Sequence, residues 1–249
     1  MLNFRLLSLA SSVKAAVYKK MKRFYKDVTV KTSESGYQIC LDDRPVRSPA
    51  KAVVVVPTQA LAEAVQAEWQ AVENEIQPKD MPLYSMAVTV TDRVTPQRQA
   101  LTDELAGYIH DDVLRYRSGD DLDLASRQTK IWDPWLNWAE QVCGLRLLTT
   151  AGLMPVSADD ATEHIVRNRL QPLADAQFGC LYRVATLSGS VVLGLAFQGR
   201  HLGADEVFET AFLDELYQNS LWGTDEEAAN RQVAIRSELK NVERFMDML

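Results

Sequence analysis

Residues 53–76 read VVVVPTQALAEAVQAEWQAVENEI, and the hydrophobic period changes in the middle of them. Val53–Val56 is a continuous β-branched run suited to a strand, and Pro57 ends it. Beyond the proline, Leu61, Val65, Trp69, Val72 and Ile76 recur at steps of four and three, the spacing of one helical face. Thr58 stands where a helix N-cap is needed. A strand that hands over to an amphipathic helix across one proline predicts an α+β fold.

Upstream, the pattern stays strand-like. Val28 and Val30 alternate with polar neighbours, Ser33-Glu34-Ser35-Gly36 reads as a turn, and Tyr37, Ile39 and Leu41 alternate again. Asp42-Asp43-Arg44-Pro45 is a second turn. Downstream, Gln77-Pro78-Lys79-Asp80 closes the helix, and the apolar, partly β-branched run Met81–Val90 predicts one more strand. Thr95-Pro96 then forms a cap-and-proline start for a helix carrying Leu101, Leu105, Tyr108 and Ile109, closing near Ser118-Gly119.

From there the chain reads as helical to its end. Asp133-Pro134 repeats the cap-and-proline start, with Gly144 as the C-terminal stop. Ser157 with Asp160, and Thr224 with Glu227, have capping-box spacing. Val184–Phe197 predicts a buried core helix in which Gly189 and Gly194 allow close packing. Ile235, Leu239, Val242, Met246 and Leu249 form the stripe of the last helix. The expected organisation is a basic extension (1–22), a small β-rich α+β domain (23–94) and a larger orthogonal helical bundle (95–249).

The 249 residues carry a net charge of −7, which argues against a general nucleic-acid binder, because such proteins displace counterions with basic surface. Residues 1–26 hold seven Lys/Arg and no acid. They read either as a short mitochondrial presequence or as an extension ahead of the fold. The longest apolar stretch falls short of the roughly 20 residues that cross a bilayer, so no membrane insertion is expected. Cys40, Cys143 and Cys180 have no CxxC spacing or disulfide framework, which fits a reducing compartment.

The chemistry-bearing motifs are absent. There is no phosphate loop, no GxGxxG after a strand and no GxSxG elbow. His110, His164 and His201 lie on separate elements without metal-ligand spacing. No cofactor, metal or catalytic residue is therefore expected. His110-Asp111-Asp112 would be the acid–base cluster of a hydrolase, or simply the solvated end of a helix. Cys143, beside Gly144, reads as a helix terminus.

Trp132, Trp135 and Trp138 are expected to staple a helical bundle, with an exposed partner-binding patch as the alternative. Trp69 lies mid-stripe and reads as core. Between Ala204 and about Ser220, taken as one helix, Val207, Phe208, Ala211, Phe212 and Leu216 form an apolar arc with Glu215 in its middle. A carboxylate there needs a partner. Either an arginine of this chain, such as Arg117 or Arg183, pairs with it, or the arc is a contact surface and Glu215 meets a partner's cation.

An ordered series of short motifs runs through the chain. It begins with Arg23-Phe24-Tyr25-Lys26, Leu41-Asp42, Arg44-Pro45-Val46 and Pro49, then Val56-Pro57, Leu61-Ala62, Glu68-Trp69 and Met81-Pro82-Leu83. It continues with Tyr116-Arg117, Trp132-Asp133-Pro134 with Trp138, and Leu213-Asp214-Glu215 with Gln218 and Trp222-Gly223. Over residues 22–249 this series resembles the F1-ATP synthase assembly chaperone family that binds the free α subunit. The resemblance implies an α+β N-terminal domain, an orthogonal helical bundle, no catalysis and an α-subunit client. It also implies a monomer when free, in α-proteobacterial cytoplasm or alternatively the mitochondrial matrix.

The family's sensitive acidic position matches Glu215, or its neighbour Asp214, and the family's Glu-Trp pair matches Glu68-Trp69. Val88 departs from the polar residue expected there. Candidate partner-binding residues are thus Glu215, Asp214, Phe208, Phe212, Gln218 and Trp222. An enzyme using the His110 region and an adaptor with another client are the alternatives.

Overall fold

The Val53–Val56 run contributes only its last two residues to a sheet. A computed structural model of the chain describes residues 21–151 and 160–249, so the basic stretch through residue 20 and the Ser157 cap lie outside the described residues. The chain divides into two compact units. One comprises residues 21–98, 174–180 and 241–249; the other comprises 99–151, 160–173 and 181–240. The fold is mixed α+β, with the sheets mainly near the N-terminus and helices beyond.

In the first unit, β1 (Met21–Lys22) pairs with β6 (Glu75–Ile76). β2 (Val28–Ser33) and β3 (Gly36–Leu41) form a six-residue antiparallel hairpin from Val28↔Leu41 to Ser33↔Gly36. β4 (Arg44–Pro45) and β5 (Val55–Val56) take the other edge of β3. Gly36 is required at the turn: its φ is +137°, and a Cβ there would sit 2.5 Å from the Val56 carbonyl oxygen.

Helix α1 (Gln59–Ala71) begins as the sequence predicts, with the Thr58 hydroxyl accepting from Leu61 N–H at 3.2 Å. Its stripe packs inward: Leu61 and Val65 are fully buried and Trp69 is 3% exposed. Trp69 stands between Tyr25 and Tyr84 in edge-to-face contacts at 5.6 and 4.9 Å. The Tyr25 hydroxyl donates to the Trp69 carbonyl at 2.6 Å.

The strand expected over Met81–Val90 is instead helix α2 (Pro82–Thr89), continued by a wider π turn at Val90–Val94. Two features override the β-branched composition. Pro82 sits in the first turn, where its fixed φ suits a helix. The Glu68 carboxylate accepts from Leu83 and Tyr84 N–H at 2.9 and 2.8 Å, satisfying two orphan donors. Thr95-Pro96 does not start the next helix, which begins at Arg98. Thr95 continues the π turn, and its hydroxyl donates to Asp175 at 2.7 Å. Helix α3 (Arg98–Tyr108) starts later and ends earlier than expected, giving way to two 3₁₀ turns and strand β7 (Tyr116–Arg117).

In the second unit, Asp133-Pro134 lies inside helix α4 (Leu122–Trp138) and does not start it. Asp121 is the cap, accepting from Leu124 N–H at 3.0 Å. Gly144 ends the following π turn in the left-handed region, as expected. Strand β8 (Thr150–Ala151) pairs in parallel with β7. Helix α5 (Asp160–Leu170) follows.

The predicted single helix over Val184–Phe197 is two: α6 (Asp175–Ser188) and α7 (Val191–Gln198). Gly189 turns the chain at φ +68°, and Ser190 caps α7 through Leu193 N–H at 3.1 Å. Gly194 keeps its packing role, since a Cβ there would lie 3.1 Å from that of Ala185. Helices α8 (Ala204–Ala211), α9 (Leu213–Trp222) and α10 (Glu226–Asp247) complete the chain. Asp225, not Thr224, caps α10, accepting from Ala228 N–H at 2.9 Å. The helix starts one residue later than the capping-box reading requires.

Candidate partner-binding site

The arc around Glu215 is not one helix. The chain bends at Phe212 (φ −100°, ψ 18°), so Phe208 belongs to α8 and Glu215 to α9. Phe208 is 3% exposed, stacks on Phe212 at 4.9 Å and lies under the Arg236 guanidinium at 4.7 Å. Arg236 is held in turn by Asp205 and Glu209 at 3.0 and 2.8 Å. Phe208 is therefore packed against α10, with Phe212 stacked on it.

Glu215 has partners within the chain, but neither arginine named from the sequence. Its carboxylate pairs with Arg231 and accepts from Gln232 at 2.6 Å. Arg117 pairs with Asp133, and Arg183 with Glu238. The Glu215–Arg231 bridge stays partly open, its side chains 25% and 39% exposed. The sequence reading missed Arg231 and Gln232. Their one signal is the Gly223-Thr224-Asp225 break, which folds α10 back along α9 so that position 215 meets 231 and 232.

Asp214 takes the inward position. Gln128, 1% exposed, donates to it at 2.8 Å and accepts from Ser118 N–H at 2.8 Å. Burial raises the Asp214 pKa, opposed by the Gln128 hydrogen bond and the Arg117 charge. Farther along α9 the surface becomes apolar. Trp222 is 80% exposed and Leu221 53% exposed. The Trp222 indole N–H donates to Gln218 at 3.0 Å, which fixes the ring at the helix end.

The same architecture exists in solved proteins. Atp12 from Paracoccus denitrificans is 33% identical, with a TM-score of 0.87, over 91% of this chain and 97% of that one. The ATP12 chaperone protein family model matches residues 22–140. The chain belongs to the ATP12 chaperone family. A candidate chaperone from Agrobacterium tumefaciens is 34% identical with a TM-score of 0.85, over 92% of this chain and 86% of that one. The mitochondrial protein atp12 of Schizosaccharomyces pombe is 23% identical over 219 residues, 83% of this chain and 75% of that protein. The family is thus one of ATP synthase assembly chaperones, with bacterial and mitochondrial members.

The His110 region is structural in character. Asp112, expected in a solvated face, is fully buried. Its carboxylate accepts from Leu114 N–H at 3.1 Å, the Ser190 hydroxyl at 3.0 Å and Val192 N–H at 3.2 Å, so it joins a 3₁₀ turn to the start of α7. Burial outweighs these hydrogen bonds and pushes its pKa up to about 6. The His110 ring meets Glu163 at 2.6 Å, and Asp111 accepts from the Tyr116 hydroxyl at 3.0 Å. Arg115, 2% exposed, donates to the carbonyls of Ile109, His110 and Leu148.

Trp132 is fully buried and donates to the Thr210 carbonyl at 2.8 Å, while Trp135 and Trp138 are only partly buried. Cys143 ends its helix as expected. Among the described residues, no group of three His, Cys, Asp or Glu side chains converges on a metal position, and no helix is long and apolar enough to cross a membrane.

Proposed function

We propose that this chain is a non-enzymatic chaperone that holds the free α subunit of the F1 sector of ATP synthase until assembly. The observation that carries this reading is the outer end of α9. Trp222 and Leu221 expose apolar surface there, and Gln218 fixes the indole ring. Large exposed aromatic side chains are typical anchors for a partner. Glu215, on the same helix, supplies a partly exposed carboxylate for a client cation, with Asp214 held behind it. Phe208 on α8 and Phe212 at the bend stack on each other beside that helix.

Membership of a chaperone family supports a holding role. The use of Asp112 and Arg115 to tie backbone together favours it over hydrolysis in that region. We further propose that the chain is monomeric when free and works in the cytoplasm of an α-proteobacterium, with the mitochondrial matrix as the alternative compartment. We also propose that the chain is organised as an α+β part (23–94) and a helical part (95–249), the second of which carries this surface.

The test is a pull-down of purified F1 α subunit by the tagged chain, with Trp222→Ala beside wild type. Wild type should retain the α subunit, and the variant should retain markedly less at unchanged melting temperature. Equal retention by both would remove this surface from the binding site. No retention by wild type would remove the α subunit as client.

A further inference from the structure

A second surface is a cleft of about 590 Å³ bounded by residues 138–143, the end of α5 and the end of α7 with the segment after it. Val142, 48% exposed, and the side of Trp138 form its apolar walls, and the Trp138 ring faces that of His201 at 5.1 Å. Its polar groups are mostly unused. Asn168, Gln198 and the His201 ring nitrogens make no hydrogen bond among the described residues. The Arg169 guanidinium donates to the Val142 carbonyl at 2.6 Å and has no carboxylate partner among the described residues. The Trp138 indole N–H is buried with no acceptor.

In a chain of net charge −7, the lining of this cleft contains no Asp or Glu. A concave site with apolar walls, a guanidinium that has no carboxylate partner among the described residues and several unfilled donors suits an acceptor-bearing occupant that also carries apolar surface.

We propose that the cleft is a second client-contact site, which takes a segment bearing a carboxylate next to an apolar side chain. The carboxylate engages Arg169, with the amides of Asn168 and Gln198 beside it. The apolar side chain lies against Trp138 and Val142. A small shift of the indole would give its N–H a client carbonyl. Specificity comes from the charge and contact area from the apolar walls.

This inference rests on the α-subunit reading above, and its test separates the two. Hydrogen–deuterium exchange is measured on the chain with and without purified F1 α subunit, alongside the affinities of wild type, Arg169→Lys and Arg169→Glu. Arg169 is exposed, so both variants should keep the wild-type melting temperature, and circular dichroism checks that they do. The expected result is protection of residues 138–143 and 165–173 in the complex, with binding weakened at least about tenfold by Arg169→Glu and far less by Arg169→Lys. Full binding of α subunit by Arg169→Glu, or no protection of the cleft in a wild-type complex, overturns the second site and leaves the proposed function standing. Protection that rises with the concentration of the free chain alone assigns the cleft to a second copy and also overturns it. If wild type binds no α subunit, both readings fall.

Discussion

At Glu215 the proposed client cation would compete with Arg231 and Gln232, its partners inside the molecule. The internal bridge is partly exposed, and such pairs contribute about 1 kcal/mol or less. Glu215→Lys should therefore lower the melting temperature by only a few degrees while weakening α-subunit binding at least about tenfold. Glu215→Gln should retain more binding, because it keeps the shape and can still hydrogen-bond. Differential scanning fluorimetry beside a titration decides. Outright unfolding by Glu215→Lys would make the carboxylate a structural anchor.

Asp112 carries a different expectation. Its folded-state pKa of about 6 lies above the ordinary value of 3.8. The protonated form is thus favoured by folding. The associated stability is fully present below about pH 4 and is lost as pH rises through 6. Relative to Asp112→Asn, which cannot ionise, wild type should lose about 2 kcal/mol between pH 4 and pH 7. Urea unfolding of both proteins at several pH values measures that difference. A constant gap would show that the carboxylate does not titrate in this window.

Among the elements, α1 and α2 are joined by two adjacent residues with separate tasks. Glu68 caps α2, so Glu68→Ala leaves two first-turn N–H groups without acceptors and should cost about 2 kcal/mol, read as a lower urea midpoint. Trp69 fills the space between Tyr25 and Tyr84. Trp69→Arg would bury an unpaired charge there and should cost several kcal/mol, a large share of ordinary stability, giving insoluble protein. A soluble, equally stable Trp69→Arg protein that fails to bind α subunit would move Trp69 from core to interface.

These elements also show how far the sequence could be read. The β2–β3 hairpin, Thr58 with α1, and the stop at Gly144 were legible, because local period and capping chemistry decide them. Met81–Val90 was not, since its helix depends on a carboxylate thirteen residues upstream of Met81. Thr95-Pro96 and Asp133-Pro134 misled because proline suits any first turn and is also tolerated within a longer helix. At the candidate site, the sequence showed that Glu215 needed a partner. It did not show which, because that follows from the α9–α10 reversal.

For the whole molecule, membership of the ATP12 chaperone family is what supports a role in binding another protein. A free F1 α subunit would expose surface that is buried only after assembly, and exposed apolar surface of that kind aggregates. On the proposed function the chaperone would cover that surface, through the outer end of α9 and through the cleft beside Trp138. The most direct measurement is the soluble fraction of F1 α subunit expressed alone, with this chain, and with its Glu215→Lys variant. Covering predicts mostly insoluble α subunit alone, mostly soluble α subunit with wild type, and a clear loss of that gain with Glu215→Lys. An α subunit that is no more soluble with wild type than without it would contradict the account.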